Sequence, residues 1–354
     1  MKTLLILRFS SIGDIVLTTS VLRRLKEDYQ GVKLVFVTKH SFVGLLPDGV
    51  EVIGFTGFNS DFVARLRGVK ADAILDLHAN LRTRFIKLML WNIPSFSLNK
   101  QRFGRWLFLK TDRHWIPLKH VVYRYHETVE PLLKYWSGED YAIGKVEQER
   151  HDAEVVANLG RRAALWMSSL AVKNLVFAKF GISPKKYGVL HLSATYNTKR
   201  IPDFIWEYII ENRTEHLILL GGKEDVDRAN RLVASAKISD WSILSVVGET
   251  TLQESMKIVE EADWFVGGDT GFTHIATAYQ VPVLLVWGNT SPDLGFSPWT
   301  GSNSLVYSMQ VEELSCNPCS RLGYDSCPKK HFNCMMLQDL RKMDSYLQKM
   351  RNND

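Results

Sequence analysis

The chain of 354 residues contains no run of about 20 apolar residues, and this absence excludes an ordinary transmembrane helix. Residues 1–9 begin like a signal peptide, but Arg8 interrupts the apolar run and no small-residue cleavage site follows. We therefore expect residues 1–9 to contain a buried first strand, and we expect the protein to be cytoplasmic. Repeats and low-complexity tracts are also lacking, so nothing in the sequence indicates a repeat architecture.

Cysteine is scarce, and its four copies lie within nineteen residues in the pattern C-x2-C-x7-C-x6-C. They are Cys316, Cys319, Cys327 and Cys334. A cytosolic protein is not expected to carry a disulfide framework, and the spacing matches none of the strong zinc signatures well. Reduced cysteines that pack locally, one disulfide pair and a structural zinc stay open as alternatives, and the zinc is not what we expect.

The first strand-turn-helix unit lacks G-x-G-x-x-G, so the usual dinucleotide fingerprint is absent. In its place stands R-F-S-S-I-G-D at 8–14, followed by a predicted helix over 15–29. Asp14 is expected in the first turn, at the carboxyl edge of the sheet, where it could take a proton from a substrate hydroxyl. A helix cap is the structural alternative for this residue.

Acidic residues are nearly absent between residues 82 and 124, where ten Lys and Arg residues accompany one acid, Asp112. This stretch contributes to the net charge of +6. Aromatic residues are interleaved with the basic ones, among them Trp91, Phe96, Phe103, Trp106, Phe108 and Trp115. Such a stretch suits an anionic surface, namely nucleic acid, lipid phosphate or a phosphorylated sugar. A solvated basic face with its aromatic residues in the core is an equal alternative.

Apolar strand-like runs alternate with helical patterns, which predicts a mostly parallel sheet in each half of the chain. The predicted strands are residues 3–9, 33–38, 73–77, 187–192, 216–220, 243–247, 264–266 and 283–286. Residues 152–180 are predicted to be helical, and residues 181–186 have the composition of a linker. We therefore predict two doubly wound domains, 1–180 and 181–354, with a ligand cleft between them. A final helix over 337–350 could pack back on the N-terminal domain.

The densest group of chemically active side chains is G-G-D-T-G-F-T-H at 267–274, between an apolar run and a helical run. A helix that starts there directs unsatisfied N–H groups and about half a positive charge beyond the sheet edge. Such an end suits an anion, most often a phosphate. A cap role for Asp269 and a core role for His274 are the structural alternatives, but the combination favours a phosphate clamp.

Two further loops follow predicted strands of the second half. S-A-T-Y-N-T-K-R at 193–200 brings Lys199 and Arg200 to the expected ligand edge, where charge-assisted bonds to a diphosphate would fit. L-G-G-K-E-D at 220–225 places acids where they could hold ribose hydroxyls. Solvated charges and an acidic first helical turn are the structural alternatives.

Taken in order, these blocks resemble the lipopolysaccharide heptosyltransferases of glycosyltransferase family 9, over nearly the whole chain. The resemblance is carried by R-F-S-S-I-G-D-I-V-L-T-T at 8–19, H-L-S-A-T-Y-N-T-K-R-I-P at 191–202, L-G-G at 220–222, G-D-T-G-F-T-H-I-A-T-A at 268–278 and V-P-V-L-L-V-W-G-N-T at 281–290. It implies an α/β protein with the GT-B fold: an N-terminal acceptor-binding and a C-terminal nucleotide-sugar-binding Rossmann-like domain, doubly wound and facing each other across a cleft.

The resemblance also implies a reaction, the inverting transfer of a heptose from ADP-heptose to the inner core of lipopolysaccharide. Asp14 would be the general base, Lys199 would neutralise the diphosphate, and Thr270 and Gly271 would hold that diphosphate. The other donor-binding residues that it implies are Ser11, Gly13, Ser193, Glu224, Asp269, Thr273 and His274, with Glu224 at the ribose.

Arg102 and Arg105 are expected to bind an anionic, lipid-linked saccharide acceptor, which would place the enzyme at the inner face of the inner membrane. No nucleic acid partner and no required metal or other cofactor is expected, because Lys199 and the helix end would supply the positive charge; a divalent cation would at most stimulate. The alternative is another GT-B enzyme that uses a different nucleotide sugar, either a transferase or an epimerase.

Overall fold

The computed structural model describes residues 1–111, 117–137, 173–182, 187–213, 215–236, 243–300 and 306–352. Contacts divide the chain into two compact units. Among the described residues, unit 1 consists of Met1–Arg102 and residues 118–137, and unit 2 holds the others. The part of the predicted linker over 183–186, and residues 152–172 of the predicted helix, lie outside the described residues.

Unit 1 is built on a parallel sheet of five strands in the order β3-β2-β1-β4-β5. The strands are β1 (Thr3–Leu7), β2 (Lys33–Lys39), β3 (Glu51–Phe55), β4 (Ala73–Asp76) and β5 (Ser95–Ser97). Leu5 of β1 pairs with Val35 of β2 on one side and with Ile74 of β4 on the other. Because β1 is central and covered on both faces, its run of apolar residues is wholly buried.

Helices of the first part of the chain connect these strands. The connecting helices are α1 (Ile12–Asp28), α2 (Ser60–Gly68) and α3 (Leu81–Met89), and two more, α4 (Arg102–Thr111) and α5 (Val121–Ser137), follow β5. Helix α1 packs against α5. Helix α4 groups with unit 2 from Phe103 onward, whereas the predicted domains place it in the N-terminal half.

Unit 2 is built on a parallel sheet of six strands in the order β11-β10-β9-β6-β7-β8. The strands are β6 (Tyr187–His191), β7 (His216–Leu220), β8 (Ile243–Ser245), β9 (Trp264–Gly268), β10 (Val283–Val286) and β11 (Val306–Met309). In chain order this is the doubly wound arrangement 3-2-1-4-5-6 of a Rossmann sheet. The predicted fold, two doubly wound α/β halves with parallel sheets, is confirmed.

The helices of unit 2 are α6 (Lys173–Phe180), α7 (Asp203–Glu211), α8 (Val226–Ser235), α9 (Leu252–Glu260), α10 (Gly271–Ala278), α11 (Asn333–Met336) and α12 (Leu340–Asn352). A capping box begins α9, because Glu254 N donates to Thr251 Oγ1 and Thr251 N donates to Glu254 Oε2. The closing helix α12 packs against β10 and α7 of this unit, with Met343, Leu347 and Met350 in the core.

Some predicted bounds were wrong. Helix α1 begins at Ile12 and not at residue 15, and three short strands, β3, β5 and β11, were not predicted. Pro202 is the N-cap of α7. The described helices include none that is long and apolar enough to cross a bilayer.

Candidate active site

Two polar loops of unit 1 lie at the carboxyl edge of its sheet. Strand β1 runs into residues 8–11, directly before the helical turn that contains Asp14, and its neighbour β4 runs into residues 77–80. The chain leaves these two strands towards opposite sides of the sheet order, and ligands of open α/β sheets bind at such a switch point. The prediction that Asp14 lies in the first turn of a helix at this edge is confirmed.

Asp14 holds the start of α1 together. Ser11 is the N-cap in extended conformation, and its backbone N and Oγ donate to Asp14 Oδ2 at 3.1 and 2.9 Å. The carboxylate therefore completes a capping box from the third helical position. The structural alternative for Asp14 is correct in kind, but Ser11 and not Asp14 occupies the cap position.

The same carboxylate forms an ion pair with Arg8, whose Nη2 lies 2.5 Å from Asp14 Oδ2. Arg8 Nη1 also donates to the carbonyl of Leu77 at 2.6 Å, so the guanidinium joins the two loops. Burial raises the pKa of Asp14, but the Arg8 charge and the two Ser11 hydrogen bonds outweigh it and hold the pKa below its ordinary value. Asp14 is therefore ionised at neutral pH.

The loop after β4 adds a neutral imidazole to this edge. The backbone N of Phe9 donates to His78 Nδ1 at 3.3 Å. Burial, with Arg8 and Lys100 nearby, lowers the pKa of His78 to about 4, so the ring is neutral at pH 7 and carries its proton on Nε2. Asp76 orients the loop by accepting the backbone N–H groups of residues 78 and 79.

The two arginines predicted to bind the acceptor lie in different surroundings. Arg102 is exposed in unit 1, where it contributes with burial and Arg8 to lowering the pKa of Lys100 to about 8. Arg105 belongs to unit 2 and is buried, with its guanidinium 4.4 Å from the centre of the Phe296 ring. An acceptor role for either residue stays a prediction.

In unit 2 the corresponding switch point lies between β6 and β9, and two predicted donor loops follow these strands. Strand β9 ends at Gly268, and Thr270 is the N-cap of α10 with extended backbone. The Thr270 hydroxyl does not cap its own helix, and its buried Oγ1 has no hydrogen-bond partner among the described residues. A buried hydroxyl beside the N–H groups of a first helical turn suits an anionic ligand.

Asp269 joins three loops of this edge. Lys199 Nζ lies 2.5 Å from Asp269 Oδ2 and 3.2 Å from its carbonyl oxygen. Thr290, which follows β10, donates to the same carboxylate oxygen at 2.9 Å. The carboxylate thus holds Lys199 beside the start of α10, as expected for a residue that orders the loop.

Lys199 is also positioned by its backbone. A Cβ on Gly268 would lie 2.8 Å from the carbonyl oxygen of Lys199, and a Cβ on Gly288 would lie 2.4 Å from that of Thr198. Both distances are below contact, so only glycine at these two strand ends admits the turn at 198–199.

The remaining donor residues predicted in the loop of α10 act within the protein. Thr273 Oγ1 donates to the carbonyl of Gly268 at 2.5 Å, which ties the first helical turn to the strand end. His274 is buried. Because the Thr273 hydroxyl is already engaged, Thr273 would contact a ligand through its backbone N–H.

The loop after β7 contains one buried acid and one exposed acid. Asp225 is wholly buried, accepts a short hydrogen bond from Ser193 Oγ, and lies 3.4 Å from Arg200 Nη1. Ser193 Oγ in turn accepts the backbone N–H of Gly222 at 2.7 Å. Glu224 is exposed at the same edge, so of the two acids it is the one available to a ligand.

Several residues of these edges were given no role at the sequence level, namely Arg8, His78, Lys100 and Thr290. For His78 a signal was present, since H-A-N at 78–80 directly follows the predicted strand 73–77. For Arg8 the contact with the Leu77 carbonyl, and for Lys100 the effect of Arg8, join positions that are far apart in the sequence, so neither could be predicted locally.

The four cysteines are free thiols and gather around a small cavity with Asn289 and His331. Cys316 Sγ lies 3.8 Å from His331 Nε2. Burial and the neighbouring sulfurs raise the pKa of Cys334 to about 12. In the described part of the chain, no group of three or more His, Cys, Asp or Glu side chains is arranged to hold a metal ion.

The fold and the two loop-bearing sheet edges are those of a GT-B glycosyltransferase, and comparison with known structures agrees. A glycosyltransferase of family 9 from Veillonella parvula superimposes with a TM-score of 0.70 at 12% identity, covering 100% of this chain and 98% of that one. The Escherichia coli ADP-heptose lipopolysaccharide heptosyltransferase II gives a TM-score of 0.65 at 17% identity, with 99% and 100% covered.

Comparison of the sequence identifies the family of the chain. The family described as glycosyltransferase family 9 (heptosyltransferase) matches residues 60–322, and the chain belongs to this family. It is 23% identical to lipopolysaccharide heptosyltransferase 1 of Pseudomonas aeruginosa, over 89% of this chain and 85% of that protein. It is 25% identical to lipooligosaccharide heptosyltransferase 2 of Campylobacter jejuni, but this match covers only 37% of the chain and 42% of the relative.

Proposed function

We propose that this glycosyltransferase moves a heptose from ADP-heptose to the inner core of lipopolysaccharide with inversion at the anomeric carbon. The names of its relatives support the sugar and the acceptor class. The observation that carries the proposal is that each sheet has its charged loops at its own switch point, an ionised carboxylate in unit 1 and a cationic helix start in unit 2.

Unit 1 supplies the base. Asp14 accepts the proton of the acceptor hydroxyl while that oxygen attacks the anomeric carbon from the side opposite the leaving group. The bond between the sugar and the ADP oxygen breaks, and the configuration inverts. The low pKa of Asp14 keeps it ionised over the whole physiological range, and Arg8 fixes its direction.

Unit 2 stabilises the leaving group. The diphosphate gains charge as the sugar bond breaks, and Lys199, Thr270 and the N–H groups at the start of α10 are arranged before the reaction to receive it. Asp269 orients Lys199, and the exposed Glu224 binds the ribose. With this positive charge in place the reaction requires no cofactor, and a divalent cation at most stimulates it.

The acceptor is an anionic, lipid-linked saccharide, which places the enzyme at the inner face of the inner membrane. Lys100 and Arg102 provide the cationic surface beside Asp14 in unit 1.

Lys100 makes acceptor binding depend on pH. Burial, Arg8 and Arg102 lower its pKa to about 8, so its charge is present below pH 8 and is lost above it. We expect the KM for the acceptor to rise severalfold between pH 7 and 9, while the KM for the donor stays constant. In Lys100→Arg, whose charge persists, the rise should disappear. A rise of the same size in that variant would show that another group titrates.

The proposal is tested by a panel of nucleotide sugars, with melting temperature and transfer as the two measurements. ADP-heptose should stabilise the protein more than its UDP and GDP counterparts, because a ligand raises stability in proportion to the logarithm of its concentration over Kd. Transfer should occur only when ADP-heptose and an inner-core acceptor are both present. Preferential stabilisation by another nucleotide sugar, or turnover of the donor without an acceptor, would identify a different transferase or an epimerase.

A further inference from the structure

Helix α3 has apolar side chains on both of its faces. Ile86 and Leu90 are buried in the core of unit 1, and Thr83 is buried on the same side. On the opposite side, Leu81 and Leu88 are 80% and 71% exposed. Packing in the core explains why the buried side of the helix is apolar. It does not explain a second apolar stripe at helical spacing on the side that faces solvent.

The outer stripe continues beyond these two leucines. Phe85, one turn after Leu81, is 49% exposed and packs edge-on against the partly exposed Phe58 at 5.0 Å. Trp91, just after the helix, is 83% exposed. Exposed apolar side chains along one side of a helix, followed by an exposed tryptophan, are a combination typical of proteins that lie on a membrane.

Basic side chains flank this stripe, and acids are absent between residues 80 and 92. By helical geometry Arg82 and Arg84 lie on either side of the line that joins Leu81, Phe85 and Leu88. Both arginines are exposed, and no described residue forms an ion pair with them. Lys87 differs, because it forms an ion pair with the buried Asp76 at 2.9 Å and so faces the sheet.

The position of α3 connects this surface to the candidate site. Asn80 caps the helix directly after the loop of His78, at the same sheet edge as Asp14. A surface held by α3 would therefore lie close to the loops of unit 1 that we assign to the acceptor.

We propose that Leu81, Phe85, Leu88 and Trp91, with Arg82 and Arg84, form a docking face for an anionic lipid bilayer. The apolar side chains enter the headgroup region, and the two arginines pair with lipid phosphates. The charge selects this occupant over a second copy of the chain, because two copies would bring four unpaired arginines of the same sign together. The inference adds to the proposed function a site for the lipid that bears the acceptor, and it rests on that function only for the choice of leaflet.

The experiment measures sedimentation of the full chain with vesicles of phosphatidylcholine, with and without phosphatidylglycerol. The wild type should bind the anionic vesicles more strongly, and high salt should weaken the binding. Leu81→Ser/Leu88→Ser should lower the partition coefficient roughly tenfold or more on both vesicle types, since two apolar side chains no longer enter the lipid. Arg82→Gln/Arg84→Gln should lower it roughly tenfold on anionic vesicles only.

Matched controls are available in unit 2. Leu322→Ser/Leu337→Ser removes two exposed leucines, and Lys349→Gln/Arg351→Gln removes two exposed charges of α12. Both control variants should sediment with vesicles like the wild type. Equal losses in the controls, or wild-type protein that stays in the supernatant with anionic vesicles, would overturn the proposal. If the wild type formed a dimer and did not bind vesicles, and if Leu81→Ser/Leu88→Ser were monomeric, the occupant would be a second copy of the chain.

Failure of the docking face and failure of the proposed function can be told apart with a deacylated, water-soluble acceptor. Both α3 variants should transfer heptose to that acceptor at the wild-type rate, because the substituted residues do not belong to the reacting loops. Vesicle binding without any transfer would leave the docking face standing and remove the proposed reaction. Transfer without vesicle binding would do the reverse.

Discussion

Replacing Asp14 by Asn should reduce kcat for heptose transfer by roughly 10²–10⁴-fold while the Kd for ADP stays unchanged. The amide keeps the size of the side chain and can still accept the Ser11 hydrogen bonds, but it cannot take the proton of the acceptor hydroxyl. The measurements are steady-state transfer and calorimetric titration with ADP. Because Asp14 belongs to unit 1 and the nucleotide is assigned to unit 2, the two readouts should separate.

The loss of charge also affects folding, and this effect must be measured beside the kinetics. Arg8 is buried and loses its ionic partner, so we expect a fall in the free energy of unfolding of roughly 1–3 kcal/mol. Asp28→Asn, at the other end of α1 and paired with Arg24 at 3.1 Å, is the matched control and should keep full activity. If Asp14→Asn retained activity within a fewfold of the wild type, the carboxylate would be a structural cap only.

Replacing Lys199 by Ala should weaken ADP and ADP-heptose binding by roughly 10–100-fold. A charge-assisted hydrogen bond to a phosphate contributes about 1.5–3 kcal/mol, which corresponds to this range. The same variant should also lower kcat, since the charge on the departing diphosphate is larger in the transition state than in the bound donor. Titration with ADP and transfer at saturating donor measure the two effects separately.

The control for this variant is Lys342→Ala, which removes a lysine of unit 2 from a surface ion pair with Glu312 at 3.6 Å. It should leave both Kd and kcat unchanged. Unchanged ADP affinity in Lys199→Ala would show that the lysine serves only its ion pair with Asp269 and has no part in donor binding.

The central strands of both sheets could be predicted from the sequence because they are buried on both faces. Runs such as T-L-L-I-L in β1 and V-L-L-V in β10 have no other reading in a chain of alternating elements. The three missed strands are short or lie at the edges. β5 is S-F-S after a proline, and β3 contains Gly54, so neither carries the apolar pattern on which prediction depends.

The loops of the candidate site could be located by position, since each follows a predicted strand. The partners within them could not. Ser11 and not Asp14 caps α1 because the backbone of Ser11 is extended. The small residues around Ser11 predict only a simple turn. The ion pair of Arg8 with Asp14 needs the carbonyl of Leu77 as a second anchor, and that contact spans 69 residues.

Prediction also failed to distinguish engaged from available side chains. Ser193 and Thr273 stand in the predicted donor loops, but their hydroxyls are used by Asp225 and Gly268. Thr270 differs from them only in that no described neighbour takes its hydroxyl. Whether a hydroxyl is engaged depends on tertiary contacts, which cannot be predicted from the composition of the loop.

Gly268, at the end of β9, and Gly288, just after β10, both pack against the turn at residues 198–199. The turn at Thr198 and Lys199 is wedged against both strand ends, with no room for a methyl group at Gly268 or Gly288. A side chain at either glycine would therefore push against the backbone of this turn, and Lys199 with it. Under the proposed function, the position of the cation that meets the diphosphate therefore depends on two residues that carry no side chain.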